Sequence, residues 1–288
     1  VPAQVPAVRP EPVRYSCTGP FWAGPRSTPK KIVSFVPFAY EMDMLEVRLH
    51  EHEDVVDLTV LSESVYTHRV VRKPLFFERN KERYARFSDE ILHVIDDEAH
   101  FYRQRSGGES KIGDKRKDDW RNENRMRAYP WAKFLEATSL RPDKADLKDY
   151  LVLVSDMDEL PSAEQLAHFK YCQPRSGGKH FRLGAVFYAH NFRHTRPENT
   201  PDGLEFSTTL SEAETMVGRV ELPRKVGEQY KEHLGWIMNR MFGSYTDIFK
   251  ELSIAEGGCI PQKRPRELAF NPLMADEWRG GGRGPPRL

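Results

Sequence analysis

The sequence of 288 residues predicts an α/β domain with a mostly parallel sheet flanked by helices. Short runs of consecutive apolar residues, of which Leu151–Val154 is the clearest, alternate with stretches of helical period. Strands that are apolar at successive positions are typical of a sheet buried on both faces. A chain of this length can also bury one large core.

The predicted elements alternate between strand and helix along the chain. In the first helix, Met42, Leu45 and Leu49 fall on one face, and Pro161 can occupy the first turn of a later helix. The strands are expected at residues 31–38, 55–64, 91–96, 150–156 and 181–192, and the helices at 41–52, 121–135, 161–169 and 245–252.

Composition limits the partners and the domain organisation. Lys and Arg (44) nearly balance Asp and Glu (43), so the charge gives no general attraction to nucleic acid. Proline-rich residues 1–30 are predicted to be a disordered leader or stem, and residues 261–288 a disordered Gly/Arg/Pro tail, around a domain at 31–260. Three cysteines allow one disulfide bond. No apolar run approaches the roughly 20 residues that span a bilayer.

Three carboxylates follow the strongest predicted strand, at Asp156, Asp158 and Glu159. Like charges so close together repel one another, and a bound cation is the simplest group that offsets the repulsion. Hard oxygen ligands suit Mn²⁺ or Mg²⁺, which would also hold a ligand diphosphate. Both aspartates reach one ion only if the chain turns at Met157.

Further acidic residues follow the first two predicted strands. Glu41 and Asp43 come after the first, and Glu63 ends the second. Ligands of parallel sheets bind beyond the carboxyl ends of the strands. We therefore expect these residues to share one edge of the sheet with Asp156 and Asp158.

Two chemistries use an Asp-x-Asp at such a strand end. Nucleotide-sugar transferases hold a metal diphosphate there, whereas haloacid-dehalogenase-like phosphatases use the first Asp as nucleophile and the second as acid and base. The phosphatase pattern has Thr or Val where Leu160 stands, and its motif lies near the start of the domain. The sequence therefore favours the transferase.

Several blocks resemble glycosyltransferase family 17, which includes β-1,4-mannosyl-glycoprotein 4-β-N-acetylglucosaminyltransferases. Residues 36–64, VPFAYEMDMLEVRLHEHEDVVDLTVLSES, are similar to the opening of that family, and Asp156–Pro161 to its Asp-x-Asp-Glu-Ile-Pro. Lys73-Pro74-Leu75, the segment WRNENRMR and the late Gly235-Trp236 are similar to further blocks. The resemblance covers residues 32–256.

The resemblance implies a GT-A-type nucleotide-sugar-binding domain and an inverting transfer of GlcNAc from UDP-GlcNAc to a mannose hydroxyl of an N-glycan or related glycan. It implies Mn²⁺ or Mg²⁺ on Asp156 and Asp158, and a Golgi or secretory-pathway lumenal location with a membrane anchor upstream of this chain. Such a reaction also needs a carboxylate base on the acceptor side. The implied donor-binding residues are Glu41, Asp43, Glu63, Arg121, Arg125, Asp156 and Asp158, and the candidate catalytic bases are Glu159, Asp247 and Glu256.

Three positions depart from the family pattern. Tyr40 stands where Asn is expected, Ile237 where His is expected, and Ala255 near a second expected His. These changes lie in the part of the pattern assigned to the acceptor. They leave open a second function, that of a catalytically weak relative that binds a nucleotide sugar or glycan without turnover.

Overall fold

Eight strands form one mixed sheet in the computed structural model, which describes residues 16–66, 72–97, 126–141, 147–189, 192, 195, 203–217 and 222–239. Two further strands, β1 (Trp22–Pro25) and β7 (Cys172–Pro174), form a separate two-stranded sheet. The eight strands of the large sheet are β2 (Lys31–Phe38), β3 (Leu58–Ser64), β4 (Ile91–Asp96), β5 (Tyr150–Val154), β6 (Glu159–Leu160), β8 (His180–Ala189), β9 (Glu205–Glu212) and β10 (Glu228–Asn239). The helices are α1 (Met42–His52), α2 (Phe76–Arg79), α3 (residues 126–138) and α4 (Ala163–Tyr171), with 3₁₀ segments at Lys81–Glu90 and Ala213–Met216.

The sheet has the order β4-β3-β2-β5-β9-β8-β10-β6. Strands β4, β3, β2 and β5 run parallel, as do β8 and β10. Strand β9 is antiparallel to both of its neighbours, and β6 is antiparallel to β10. The predicted α/β class and mostly parallel sheet are therefore confirmed, with antiparallel strands in one half.

Helices cover both faces of the sheet. Val33 and Phe35 of β2 pack against Trp131 of α3, whereas Ile32 belongs to the cluster that contains Phe169 of α4. Neighbouring residues of β2 thus enter different core clusters, as expected from the alternation of side chains along a strand. This arrangement explains why the central strands are apolar at successive positions.

The predicted elements agree with the observed ones in the parallel half of the sheet. Strands β2 and β4 have the predicted bounds. Helix α4 begins at Ala163, two residues later than predicted, because the Ser162 hydroxyl accepts a hydrogen bond from the Gln165 N–H and caps the helix. The predicted helix at 245–252 lies outside the described residues. None of the helices in the described ranges is long and apolar enough to cross a lipid bilayer.

Residues 16–30 belong to the folded domain, which corrects the predicted disordered leader for that part of the chain. Strand β1 pairs with β7, and Trp22 is only 1% exposed. The ring of Phe21 contacts Trp22 and Phe169, and a disulfide bond joins Cys17 to Cys172. Proline content predicted disorder here, but aromatic burial and one covalent bond outweigh it.

We expect loss of this disulfide to destabilise the domain by about 2–4 kcal/mol, because the bond closes a long loop in the unfolded chain. Its cysteines are 155 residues apart. The Cys17→Ser variant should unfold at a lower urea concentration than the wild type and lose its sensitivity to reductant. Cys259→Ser is the matched control and should keep that sensitivity. An unchanged unfolding midpoint in Cys17→Ser would contradict the prediction.

Candidate functional site

Three parallel strands bring several of the predicted acidic residues to one edge of the sheet. Phe35 of β2 is paired with Val154 of β5, and Phe38 of β2 is paired with Glu63 of β3. The segments that follow β2 and β5 therefore leave the sheet side by side. Glu41 and Asp156 lie in these two segments, at the carboxyl edge where ligands of parallel sheets bind.

The segment Asp156–Glu159, here called the acidic turn, reverses the chain between β5 and β6. The Glu159 N–H donates to the Asp156 carbonyl oxygen at 3.2 Å, and the side chain of Met157 is buried. The Asp158 carbonyl oxygen accepts from the Met238 N–H of β10 at 2.8 Å. The chain thus turns at Met157, as a shared ligand site for Asp156 and Asp158 requires.

Two arginines hold the carboxylate of Asp156. Arg127 Nη2 donates to Oδ1 at 2.6 Å, and Arg224 Nη2 lies 2.8 Å from Oδ2. Desolvation alone would raise the pKa of Asp156, but the charges and hydrogen bonds of Arg127 and Arg224 outweigh it and hold the pKa well below its usual range. Asp156 is therefore an anion at any physiological pH.

Glu159 is the last residue of the acidic turn and is 6% exposed. Its Oε2 accepts from the Asp156 N–H at 2.9 Å and from the Thr208 hydroxyl at 3.5 Å, and its Oε1 accepts from Arg224. Burial, followed by the nearby charge of Asp156, raises the pKa of Glu159 to about 7. The structure thus places this predicted base among protein groups that fix the shape of the turn.

A third arginine, Arg48 of α1, supports the turn from the protein interior. It is 1% exposed, and its Nη1 donates to the carbonyl oxygens of Glu159 (2.9 Å) and Asp156 (3.4 Å), while its Nη2 donates to Ser34 and Ser155. Burial lowers the pKa of Arg48 to about 10, against the opposing effect of the three carboxylates of the acidic turn. Arg48 therefore remains a cation at neutral pH.

His52, one turn after Arg48, makes stability depend on pH. It is 2% exposed and its Nε2–H donates to the Pro161 carbonyl oxygen at 2.9 Å. Burial and the charge of Arg48 lower the pKa of His52 to about 3 from the ordinary 6.5. Between these values the unfolded chain binds a proton that the folded chain does not, so stability is full above pH 6.5 and falls as the pH falls.

Between pH 7 and pH 5 we expect the wild type to lose about 2 kcal/mol more stability than the His52→Gln variant. The glutamine amide can still donate to the Pro161 carbonyl oxygen but does not titrate. Urea unfolding at both pH values measures the difference. His50→Gln, at an imidazole with a side chain 47% exposed, is the control and should keep the wild-type dependence. If the free energy of unfolding changes equally between pH 7 and pH 5 in all three proteins, His52 does not cause the pH dependence.

Two of the other predicted residues contact the backbone near the same edge. Glu41 Oε2 accepts from the N–H groups of Ala39 and Tyr40, at 3.0 and 2.9 Å, directly before α1. Glu63 is fully buried, accepts from the Phe77 N–H at the start of α2 and pairs with Lys73 at 3.9 Å. Both glutamates therefore fix the segments that follow β2 and β3 at this edge of the sheet.

The remaining predicted residues are not brought to the turn within the described structure. Asp43 lies on the exposed side of α1, with its side chain 57% exposed and 2.6 Å from Arg83 Nη2. Four predicted residues lie outside the described residues: Arg121, Arg125, Asp247 and Glu256.

The three arginines at the turn were not predicted as site residues. Arg127 lies in the basic segment from which the sequence suggested two other arginines. Arg48 has a usable signal, because it stands between Leu45 and Leu49 on the apolar face of α1. No sequence pattern marks Arg224, which reaches the turn from the segment before β10.

The donor atoms at the acidic turn fit a hard divalent cation. The side chains of Asp156 and Asp158 offer only oxygen, which Mg²⁺ and Mn²⁺ prefer. Each oxygen of Asp156 is contacted by one guanidinium, and a carboxylate offers about four lone-pair sites. Among the described residues, these two guanidinium contacts therefore leave about two lone pairs of Asp156 unused.

The Gly-Trp pair noted in the sequence has a structural reason. A Cβ added to Gly235 would lie 2.4 Å from the Leu160 carbonyl oxygen, so only glycine allows β10 to approach β6 this closely. Trp236 is paired with Leu160 and packs against the core cluster that contains Leu45. Both residues thus hold the strand that follows the acidic turn.

Comparison with known proteins identifies the family of this chain. The sequence model described as glycosyltransferase family 17 matches residues 10–199, well over half of the chain. Proteins named β-1,4-mannosyl-glycoprotein 4-β-N-acetylglucosaminyltransferase from Rattus norvegicus and Homo sapiens are each 28% identical over 149 residues. The match covers 51% of this chain and 24% and 25% of those relatives, so the chain spans about a quarter of their length. The resemblance seen in the sequence is confirmed, and the chain belongs to glycosyltransferase family 17.

Proposed function

We propose that the chain is a glycosyltransferase that transfers N-acetylglucosamine from UDP-GlcNAc to a mannose hydroxyl of an N-glycan or related glycan. The observation that carries this proposal is the position of the acidic turn in a family 17 chain. The turn follows β5 at the carboxyl edge of the parallel strands and brings two aspartates and three arginines together. A GT-A-type domain, in which this edge receives a nucleotide sugar, forms part of the proposal.

The residues in and around the acidic turn have different proposed roles in binding a sugar diphosphate. Asp156 and Asp158 would hold Mn²⁺ or Mg²⁺, which supplies charge neutralisation to a departing phosphate when it is bound. Arg127 and Arg224 present guanidinium groups beside Asp156, and arginine binds phosphate oxygens through paired hydrogen bonds. Arg48 keeps the backbone of the turn in place from below.

In an inverting transfer, the acceptor oxygen bonds to C1 of GlcNAc while the bond from C1 to the UDP oxygen breaks. A carboxylate takes the proton of the attacking hydroxyl. Glu159, Asp247 and Glu256 remain the proposed bases. The raised pKa of Glu159, about 7, suits proton transfer near neutral pH, but the burial of its side chain favours a base elsewhere.

We further propose a lumenal location in the secretory pathway, in the Golgi. The disulfide between Cys17 and Cys172 supports an oxidising compartment, because such bonds persist where thiols are not kept reduced. The mannose-glycan acceptor proposed above is also a component of glycoproteins in that pathway.

A second candidate function is binding without turnover. Ile237, which stands where the family pattern has His, is 5% exposed and paired with Glu159 across β6 and β10. A buried aliphatic side chain there cannot exchange a proton or donate a hydrogen bond to a sugar. This observation favours a binding protein over an enzyme if the expected His acts in catalysis.

A donor screen tests the proposal. Thermal unfolding is measured with UDP, ADP or GDP, each with Mn²⁺, and then UDP release from UDP-GlcNAc is measured with and without a mannosyl acceptor. We expect UDP with Mn²⁺ to raise the melting temperature more than ADP or GDP, and the acceptor to increase UDP release. Stabilisation without acceptor-dependent release would favour the binding function. Equal response to all three nucleotides would overturn the proposed donor.

A further inference from the structure

Three potential metal ligands meet on the side of the sheet covered by α4. Glu164 and His168 are one turn apart on α4, and His233 lies opposite them on β10. One ligand atom of each residue lies within 4.8 Å of the other two. None of them belongs to the acidic turn, and the inference drawn from them does not rest on the proposed function.

The hydrogen bonds of this cluster suit metal binding. His168 Nδ1 lies 2.8 Å from the Glu164 carbonyl oxygen, which only accepts, so Nδ1 carries the hydrogen and Nε2 carries the lone pair. Metal-binding histidines are commonly oriented by such a bond from the second ring nitrogen. His168 is 6% exposed, and Trp22 stacks on its ring, which restricts its orientation further.

The distance between the other two ligands is close to that of a zinc site. His233 Nδ1 lies 3.0 Å from Glu164 Oε1. Two ligands of a tetrahedral Zn²⁺, each about 2.0–2.1 Å from the ion, are roughly 3.3 Å apart. The separation of Nδ1 and Oε1 is therefore close to that of two ligands of one Zn²⁺ ion.

The backbone at His233 supports a special role. His233 has a backbone φ of 51°, in the left-handed region that residues other than glycine rarely adopt. Its carbonyl oxygen accepts a hydrogen bond from the Ser162 hydroxyl. This conformation aims the imidazole at α4, where it stacks on His168 at 4.2 Å between ring centroids. The side chain is 29% exposed, so its ring can turn from the stack toward an ion entering from solvent.

We propose that Glu164, His168 and His233 form a binding site for a transition metal, with Zn²⁺ as the best-suited ion. Two imidazoles and one carboxylate match the ligand preferences of Zn²⁺, whereas Mg²⁺ and Ca²⁺ prefer oxygen alone. The ion links α4 to β10 and thereby steadies Trp22, which packs on His168. Glu164, with a side chain 60% exposed, leaves the fourth coordination position open to water.

Metal titration of the full chain, after treatment with chelator and dialysis, tests this site. We expect saturable binding of one Zn²⁺ by calorimetry, and a melting temperature about 5 °C higher at 100-fold excess over the Kd. Co²⁺ should give the intense visible absorption of a tetrahedral site with nitrogen ligands. His233→Asn and Glu164→Gln should lose these responses, and asparagine also tolerates the left-handed backbone.

Two controls separate this site from the acidic turn and from general histidine binding. His50→Gln and the double variant Asp156→Asn/Asp158→Asn should each keep the Zn²⁺ response of the wild type. The proposal is overturned if Zn²⁺ binds without saturation, if His233→Asn binds it as tightly as the wild type, or if the double variant loses binding. These outcomes do not depend on UDP release, so failure here leaves the proposed transferase function intact.

Discussion

Asp156→Asn is expected to lower kcat/KM for UDP release by at least about 100-fold, or roughly 2.7 kcal/mol of transition-state stabilisation. The substitution removes the charge that would hold the divalent ion. It also leaves Arg127 and Arg224 without the anion that positions them at 2.6 and 2.8 Å. UDP release with a mannosyl acceptor and saturating Mn²⁺ measures the effect. Asp158→Asn should act in the same direction.

Asp57→Asn is the matched control for this variant. Asp57 is also an aspartate that accepts a backbone hydrogen bond, from the Ile32 N–H at 2.7 Å, and pairs with a cation, Lys170, at 2.8 Å. It precedes β3, at the opposite edge of the sheet from the acidic turn. We expect its activity to stay within about twofold of the wild type. Undiminished Mn²⁺-dependent release in Asp156→Asn would remove Asp156 from the metal site.

The acidic turn shows what the sequence could and could not predict about the site. Three adjacent carboxylates after an apolar strand indicated a repulsion that something must offset, and a cation was the simplest candidate. The structure adds Arg48, Arg127 and Arg224, which already neutralise much of this charge. Their contacts to the turn join residues that are 108, 29 and 65 positions apart in the sequence. A pattern within one segment cannot predict contacts between residues so far apart in the chain.

The fold was predictable where burial makes strands apolar. Strands β2 and β5 lie side by side inside the sheet, each with a neighbour on both sides and with side chains packed on both faces, and their hydrophobic runs stand out. Strand β9 is equally central, between β5 and β8, yet its sequence is EFSTTLSE. Its buried side chains include hydroxyls at Ser207, Thr208, Thr209 and Ser211. Because backbone pairing rather than side-chain hydrophobicity defines this strand, periodicity did not reveal it.

Matching residues of the family's opening block also have structural roles that the sequence did not indicate. Glu51 of α1 accepts from the Ala163 N–H at 2.7 Å and so holds the start of α4. Arg48 joins the same helix to the acidic turn, and Glu63 fixes the start of α2. These residues of the opening block thus hold the starts of two helices in place, and Arg48 alone of the three contacts the acidic turn among the described residues.

The Arg48→Met variant is expected to lose about 3–5 kcal/mol of stability, because it removes a fully buried cation whose charge offsets the three carboxylates of the acidic turn. Methionine keeps an unbranched apolar stem at this buried position, so most of the loss is attributed to the missing guanidinium. Arg48 donates to two carbonyl oxygens and two hydroxyls in the interior, and these acceptors would also lose a partner. Urea unfolding at pH 7 measures the change.

Arg83→Met provides the comparison that isolates burial. Arg83 also bridges to carboxylates of α1, at Asp43 and Glu46, but its side chain is 39% exposed. Solvent screens such pairs, and we expect a loss of less than about 1 kcal/mol. If both variants lose the same small amount, water or neighbouring groups compensate for the missing guanidinium, and Arg48 is not the support of the acidic turn. A large difference between the two variants locates the stabilising charge beneath the acidic turn, where Arg48 can hold its backbone in place whether or not a ligand is bound.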